Sequence, residues 1–452
     1  MTTRVVRRAL RSELSPMEVL RSFGVDARPV CLAGAWSGGS VLLASEPTRV
    51  VGSGEDVFAL LDAQPSLAAP PGVIGGGWFG ALRYPLSSRV ERLPPPPPRS
   101  HPLPEVELAY YDHIVRYDAV TGAWWFEALW TPARAEALEA RARVLERRLL
   151  ASAAAGPPYE CGAWEAMPGR EGHVFAVNRA LAHIGAGDVF QVNVCLRLEA
   201  AFAGDALDVF CDTWPRLRSP YSAYIGGRDE GTVSFSPELF LERRRRLVRS
   251  APIKGTRPRS QDPARAEEQR AELLSSAKDR AENVMIVDVM RNDIGRVCEY
   301  GSVRAPTLVR AEAHPGVWHL VSDVEGVLRP GVGDGELLRA TFPPASVTGA
   351  PKVRAMELIA ALEATGREAY TGAIGYASPC GGLEFNVAIR TFEMANGRVW
   401  LGSGGGVVAD SDPDAEFDEC LVKAMPLLQA VSATRATSPV VVTSTRGSET
   451  AA

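Results

Sequence analysis

Ser250-Ala-Pro-Ile-Lys-Gly-Thr-Arg-Pro-Arg259 reads as a β-strand running into a turn, with one lysine, Lys254, set between an apolar residue and Gly255-Thr256. Lysine is seldom buried unless something pairs with it, and a glycine beside it lets a ligand approach the backbone. A solvent-facing lysine at a strand end is the plain reading of these ten residues. The chain on either side decides whether it holds.

Around that strand, strands and helices alternate. Upstream, 189–198 alternates apolar and polar after a helix over 170–184, and short strands follow at 223–226, 232–235, 239–241 and 247–253. Downstream, 261–290 is charged, helix-periodic and free of proline after Pro263. Further helices are predicted over 350–364 and 413–431, with strands over 370–377, 384–393 and 398–402. The first part of the chain reads as strands at 41–45, 75–84 and 113–118, then a helix over 131–155 that stops at Gly156-Pro-Pro. The expected organisation is a lobe over 1–160, a second over 161–431 and a disordered Ser/Thr-rich tail over 432–452. The fold class is α+β.

The totals narrow the function. With 452 residues, 46% hydrophobic and 23% charged, the chain can bury a large core. A net charge of −5 offers no general attraction to nucleic acid or anionic membrane, and the basic block 243–246 reads as a solvated hairpin tip. Seven cysteines without CxxC spacing fit reduced thiols in a cytoplasmic protein rather than a disulfide or zinc framework. No apolar run has the length of a signal peptide or a membrane span.

Two motif matches fail on context. Gly75-Gly-Gly-Trp-Phe-Gly80 fits GxGxxG, but Pro85 leaves no room for the helix that such a loop must open. Cys31 sits in a turn like a glutaminase nucleophile, yet none of the six histidines begins a His-x-Glu, so it reads as core. The acidic signals are better. Glu416, Glu419 and Lys423 fall at i, i+3 and i+7 on one predicted helix face, and Asp279 and Glu282 repeat the carboxylate spacing on another. Gly404, Gly405 and Gly406 can turn unhindered backbone N–H groups toward an anion. Each carboxylate pair alone is an ordinary solvated face; two pairs brought together suit Mg²⁺, which takes oxygen ligands and completes its shell with water and substrate. With Lys254 and Arg390 they describe a site for a small polyanion and magnesium.

Five ordered segments then carry a resemblance: Asp188-Val-Phe-Gln-Val-Asn193, Pro252-Ile-Lys-Gly-Thr-Arg-Pro-Arg259, the run 278–295 beginning Lys-Asp-Arg-Ala-Glu, Ser346-Val-Thr-Gly-Ala-Pro-Lys352 and Gly404-Gly-Gly-Val-Val-Ala-Asp-Ser-Asp-Pro413. In order and spacing they resemble the chorismate-utilising enzymes, over roughly 170–428. The resemblance implies an anthranilate synthase component I-like fold: two large antiparallel sheets packed face to face, helices outside, and a deep central cleft. Lysine within Pro-Ile-Lys-Gly-Thr marks the branch that aminates chorismate at C4 to give 4-amino-4-deoxychorismate, where anthranilate-forming members typically have alanine.

The resemblance also implies roles. The Lys254 amine would attack C2 and expel the C4 hydroxyl, after which ammonia adds at C4 and expels the lysine, splitting one hard step in two. That requires the amine's pKa to fall from ~10.4 toward ~7–8. Glu238, in Ser-Pro-Glu, would be the general acid, and His319 matches an active-site histidine. Glu282 and Glu419, with Asp279 and Glu416 beside them, would hold Mg²⁺. Thr348, Gly349, Tyr370, Arg390, Lys423 and the backbone at Gly404, Gly405 and Gly406 would bind the substrate.

Many relatives bind tryptophan in the first lobe through a serine, where this chain has Ala35 followed by Trp36, so a tight tryptophan site is not expected. The chain carries no glutaminase segment, which implies a separate glutamine amidotransferase subunit as the source of ammonia. Formation of anthranilate or 2-amino-2-deoxyisochorismate is the alternative chemistry; a catalytically idle binding subunit is the alternative of another kind.

Overall fold

A computed structural model of the chain describes residues 3–99, 102–151, 156, 158–227, 230–432 and 442–444. Among these residues two sheets organise the fold, one of 14 strands and one of 10. Their ladders are antiparallel, apart from a short parallel one joining Trp164–Met167 to Val442–Ser444. Both sheets draw strands from each side of residue 160. Val30–Gly34 pairs with Tyr221–Gly226 in the larger sheet, and Gly77–Leu82 with Ala373–Ser378 in the smaller. The inner faces meet over an apolar layer that includes Leu32, Leu42, Phe79, Ile374 and Tyr376. Helices cover the outer faces, over cores built around Trp164, Phe210 and Leu428 on one side and Phe240, Ile286 and Leu337 on the other. This is the α+β pair of packed antiparallel sheets that the sequence implies.

Eight elements carry the site. They are the strands β1 (Gln191–Ala203), β2 (Ile253–Pro258), β3 (Val317–Val327), β4 (Gly382–Val387) and β5 (Arg398–Val407), and the helices α1 (Ala277–Gly295), α2 (Lys352–Leu362) and α3 (Pro413–Ser432). β1 and β5 are neighbours in the larger sheet, while β2 is the edge strand of the smaller one, paired with β3. α1 packs on β3. Its fully buried Asn283 donates to the Leu320 carbonyl (3.2 Å) and accepts from the Ser322 hydroxyl (2.5 Å), which fixes the helix's rotation and so where Glu282 points.

Two expectations change in detail, and one hairpin is new. The helix predicted over 261–290 is two helices, Pro263–Ser275 and α1, because Ser276 turns extended (ψ 108°) and its hydroxyl accepts from Asp279 N. The strand predicted over 384–393 breaks between β4 and Thr391–Ala395, where Arg390 takes φ 51°. The hairpin of Arg304–His314 with β3 leaves no alternating signal in the sequence, since its outer strand is half-exposed or exposed throughout and the register slips twice. Ser432 closes α3 and Val442–Ser444 form a strand; the rest of the predicted tail lies outside the described residues. No described helix is long and apolar enough to cross a membrane.

Candidate active site

A bulge aims Lys254. β2 pairs with β3 at Ile253↔Val321 and again at Thr256↔His319, so β2 carries one residue more than its partner between these points. The extra residue is accommodated by Gly255 at φ 81°, a conformation that suits glycine, and a Cβ there would press on the Asp279 side chain at 3.0–3.1 Å. The lysine leaves the bulge toward β5, its Nζ lying 3.4 Å from where a Cβ on Gly406 would stand. Gln191 reaches the same place from β1. Glycine at 406 is what leaves room for both.

Lys254 is half-buried as a residue, and protein crowds its ammonium so that desolvation lowers its pKa; Lys423 adds to the fall, while Glu282, Glu238 and Glu419 oppose it. Glu238 is buried behind it, taking the Ile253 N–H on Oε1 at 3.4 Å, with its own backbone pinned to Ser236 Oγ and Val387 N. Burial pushes this carboxyl up to about 7 against the pull of the Ser346 hydroxyl, Lys254, the Ile253 N–H and Arg390. A carboxyl poised there holds a proton that it can give up at neutral pH.

His319 is buried with Nδ1 in hydrogen-bond contact with the Thr256 hydroxyl (3.1 Å), and its Nε2 has no partner among the described residues. Burial, then Arg390 and His314, drive its pKa down to about 3, so the ring is neutral. Arg390 leaves the main strand direction at its φ of 51° while its carbonyl accepts from Phe235 N. Its guanidinium makes no hydrogen bond among the described residues and faces Glu238 and His319.

The four carboxylates divide. Asp279 pairs with Arg257 (3.1 Å), and buried Glu416 takes the Ser411 hydroxyl (2.6 Å) beneath Gly405. Glu419 pairs with Lys423 (2.7 Å), whose Nζ also donates to the Gly404 carbonyl (3.1 Å). Burial works to raise the Glu419 pKa, but Lys423, Lys278 and Lys254 hold it below the ordinary value. Glu282 alone of the four makes neither an ion pair nor a side-chain hydrogen bond among the described residues. Burial raises its pKa, with Asp279 and Glu419 adding to the rise and Lys254 opposing it. No three acidic, histidine or cysteine groups among the described residues converge into a metal cage. The open Glu282 and neighbouring Glu419 form an oxygen-only pair of the kind that suits Mg²⁺ when substrate and water supply the remaining ligands.

The other predicted substrate residues line the β1/β5 face. The Thr348 hydroxyl is spent inside its own turn, on the Pro344 and Ala345 carbonyls (3.2 Å each), while its carbonyl accepts from Asn193 N (2.8 Å). Gly349 lies so close to β1 that a Cβ would strike the Gln191 carbonyl. The Tyr370 ring lies against Gly402, and its hydroxyl is 2.7 Å from a Cβ position on Gly404. Gln191 and Ser346 also belong to the site, beyond the residues that the sequence assigns to it. Gln191 is fully buried with neither amide atom hydrogen-bonded. Its signal is one face of β1, where Gln191, Asn193, Arg197 and Glu199 alternate with apolar residues and only Cys195 interrupts the polar series.

The family model for chorismate binding enzymes matches residues 41–429. The chain belongs to that family. It is 40% identical over 355 residues to an aminodeoxychorismate synthase component 1 from Klebsiella aerogenes, covering 78% of this chain and 76% of the relative. It is 39% identical over 388 residues to an anthranilate synthase component 1 from Streptomyces coelicolor, covering 81% and 75%. The solved anthranilate synthase component I from Streptococcus pneumoniae superposes with a TM-score of 0.74 at 26% identity, covering 94% of this chain and 92% of the other.

Proposed function

We propose that this chain is the chorismate-aminating component of an aminodeoxychorismate synthase, replacing the C4 hydroxyl of chorismate with nitrogen on the route to p-aminobenzoate and folate, in the cytoplasm. The observation that carries this reading is the amine of Lys254: desolvated, free of any ion pair among the described residues, and set between an open carboxylate, Glu282, and a protonatable one, Glu238. In the reaction its lone pair attacks C2 as the ring double bond shifts and the C4 oxygen departs with a proton from Glu238. Ammonia from a glutamine amidotransferase subunit then adds at C4, the double bond shifts back and the C2–N bond to Lys254 breaks. Glu282 and Glu419 would hold Mg²⁺, which when bound neutralises a substrate carboxylate. Arg390 offers its fork of donors to the other carboxylate. Neutral His319 presents Nε2 to the ring without adding charge.

Anthranilate formation is the second reading, favoured by the identity to the Streptomyces coelicolor relative. Lys254 separates the two, because a lysine amine at C2 leaves C4 for the incoming nitrogen. The test is mass spectrometry of the product from chorismate, ammonium and Mg²⁺. A 4-amino product that is lost in Lys254→Ala supports the first reading; anthranilate, or no consumption of chorismate, refutes it.

A further inference from the structure

With neither an ion pair nor a side-chain hydrogen bond to orient it among the described residues, Glu282 owes its place relative to Lys254 to the backbone that carries it. That backbone and the strand of Lys254 meet at Ser322, fully buried on β3. Its N–H donates to the Pro252 carbonyl (3.2 Å), two residues ahead of Lys254. Its hydroxyl donates to Asn283 Oδ1 (2.5 Å), one residue beyond Glu282, and accepts from Val309 N (2.9 Å) on the outer strand Arg304–His314. Ser322 also stands where β3 exchanges one neighbour for another: Val321 pairs with Ile253 of β2, and Val324 with Ser250 of the strand Leu247–Ala251.

The bond from Val309 is made at a cost in backbone conformation. Val309 takes φ 60°, a left-handed setting that a β-branched residue rarely adopts. Between the pairs Thr307↔Asp323 and Arg310↔Val321 the outer strand carries one residue more than β3, so Val309 lies in a bulge opposite Ser322. The bulge aims its N–H at the serine oxygen. A hydroxyl has a single proton, and with its oxygen taken by Val309 that proton is directed to Asn283 Oδ1. The asparagine amide is thereby oriented, its Nδ2 donating to the Leu320 carbonyl (3.2 Å). A strained backbone persists where its surroundings over-determine it, and such places cluster at functional sites.

We infer that Ser322 is a positioning residue for the metal-binding carboxylate, holding Glu282 at a fixed offset from the Lys254 amine, an inference that rests on the proposed function above. Ser322 acts through Asn283, and a group one step behind a metal ligand sets how well that ligand binds. Its bonds divide the task. Alanine at 322 would release Asn283 and with it α1, yet would keep the backbone bond to Pro252 that holds the strand of Lys254.

The experiment compares the full chain with Ser322→Ala, Glu282→Gln and the double variant, following chorismate binding by calorimetry over a series of Mg²⁺ concentrations without ammonia. Ser322→Ala should raise the Mg²⁺ needed for half-maximal binding about tenfold. On the Glu282→Gln background the same substitution should add less than about twofold, because its effect passes through that carboxylate. With ammonium and saturating Mg²⁺, its kcat should stay within about threefold of wild type. An unchanged Mg²⁺ requirement in Ser322→Ala, whatever its thermal midpoint, would make the serine a purely structural residue and overturn the inference. So would effects that add in full, or a loss confined to kcat. Should the alanine variant not fold, Ser322→Cys, close in size and weaker in hydrogen bonding, should shift the Mg²⁺ requirement the same way by less. Wild-type chorismate binding that ignores Mg²⁺ refutes the metal reading instead. Amide hydrogen exchange then judges the pin: faster exchange confined to Ala277–Gly295 in Ser322→Ala supports it, and unchanged exchange there overturns it.

Discussion

Two clusters of charge lie close together on the β1/β5 face, one fully buried and one half-buried around Glu238, and they are finished differently. In the first, the Arg367 guanidinium uses every donor: on Glu363 (2.6–3.2 Å), on the Val347 and Asn193 carbonyls (2.9 Å each) and on the Thr371 hydroxyl (2.8 Å). Glu363 in turn accepts from Cys195 N (3.1 Å). In the second, Lys254, Arg390 and Glu282 make no ion pair among the described residues, and Glu238 is held by contacts that leave its pKa near 7. A buried charge that lacks a partner is costly, so the fold keeps one only where something else will bind it. The first cluster is architecture, tying β1 to the segments that present Thr348 and Tyr370. The second has two cations and a desolvated carboxylate left open, the groups that the proposed function assigns to a dicarboxylate and a metal.

The sharpest way to break this contrast is Lys254→Ala. Removing the nucleophile should lower C4 amination about 10⁴-fold or more, while the thermal midpoint holds or rises, since an unpaired, half-buried cation has gone. Intact-mass measurement during turnover should show a chorismate-derived adduct on wild type and none on the variant. A variant that still aminates C4 would leave the lysine as filler.

Glu238→Gln should cost on the order of 10²–10⁴-fold in kcat. The acid must hold its proton, so wild-type kcat/KM should fall as pH rises through about 7, and that limb should vanish in the variant. Stability gives an independent readout. The folded pKa lies above the ordinary 4.5, so the group's contribution is complete below that value and is lost as pH rises through about 7. The glutamine variant should be flatter across that window, as urea midpoints at pH 4.5 and 7.5 would show.

Arg367→Met attacks the paired cluster and should act on stability, costing about 3–5 kcal/mol because Glu363 is left buried and unmatched. Denaturant midpoints measure it; loss of turnover at unchanged stability would erase the distinction between the clusters. Glu282→Gln is milder, raising the Mg²⁺ concentration for half-maximal chorismate binding by about 10–100-fold with the fold intact. Calorimetric titration checks it.

How much of this was legible depends on the range of the signal. Helices with one apolar stripe, such as α3 and Arg170–Gly185, read to within a residue or two, and the glycines at 404–406 announced a backbone that something must approach. The strand β2 was visible, but its bulge was not, because an extra residue in a ladder is defined only against the partner strand. The roles of the carboxylates were legible as a set and illegible singly. Spacing places Asp279 and Glu282 on one helix face, whereas Arg257, supplied from β2, ties up the first and leaves the second open. Gln191 was hidden for the same reason, since only the fold shows that its amide faces Lys254 rather than solvent.

The first lobe offers the quietest comparison with the catalytic cleft: a place where the chain fills its own space. The Trp36 indole is fully buried, donates from Nε1 to the Ser222 carbonyl (2.8 Å) and meets Tyr221 edge-on at 5.3 Å. Ala35 has no hydroxyl to offer, and its N–H is taken by the Pro220 carbonyl (2.5 Å). An aromatic ring held by a backbone acceptor and an edge-on tyrosine occupies this part of the lobe, and beside it the small Ser37 hydroxyl is buried without a partner among the described residues, a neutral group in contrast to the charged Lys254 and Arg390. Excess tryptophan should therefore leave the thermal midpoint unmoved, where a ligand at about a hundred times its Kd would add ~2.7 kcal/mol and shift it by several degrees. Tryptophan recovered from the purified protein, or such a shift, would show that the space is open after all.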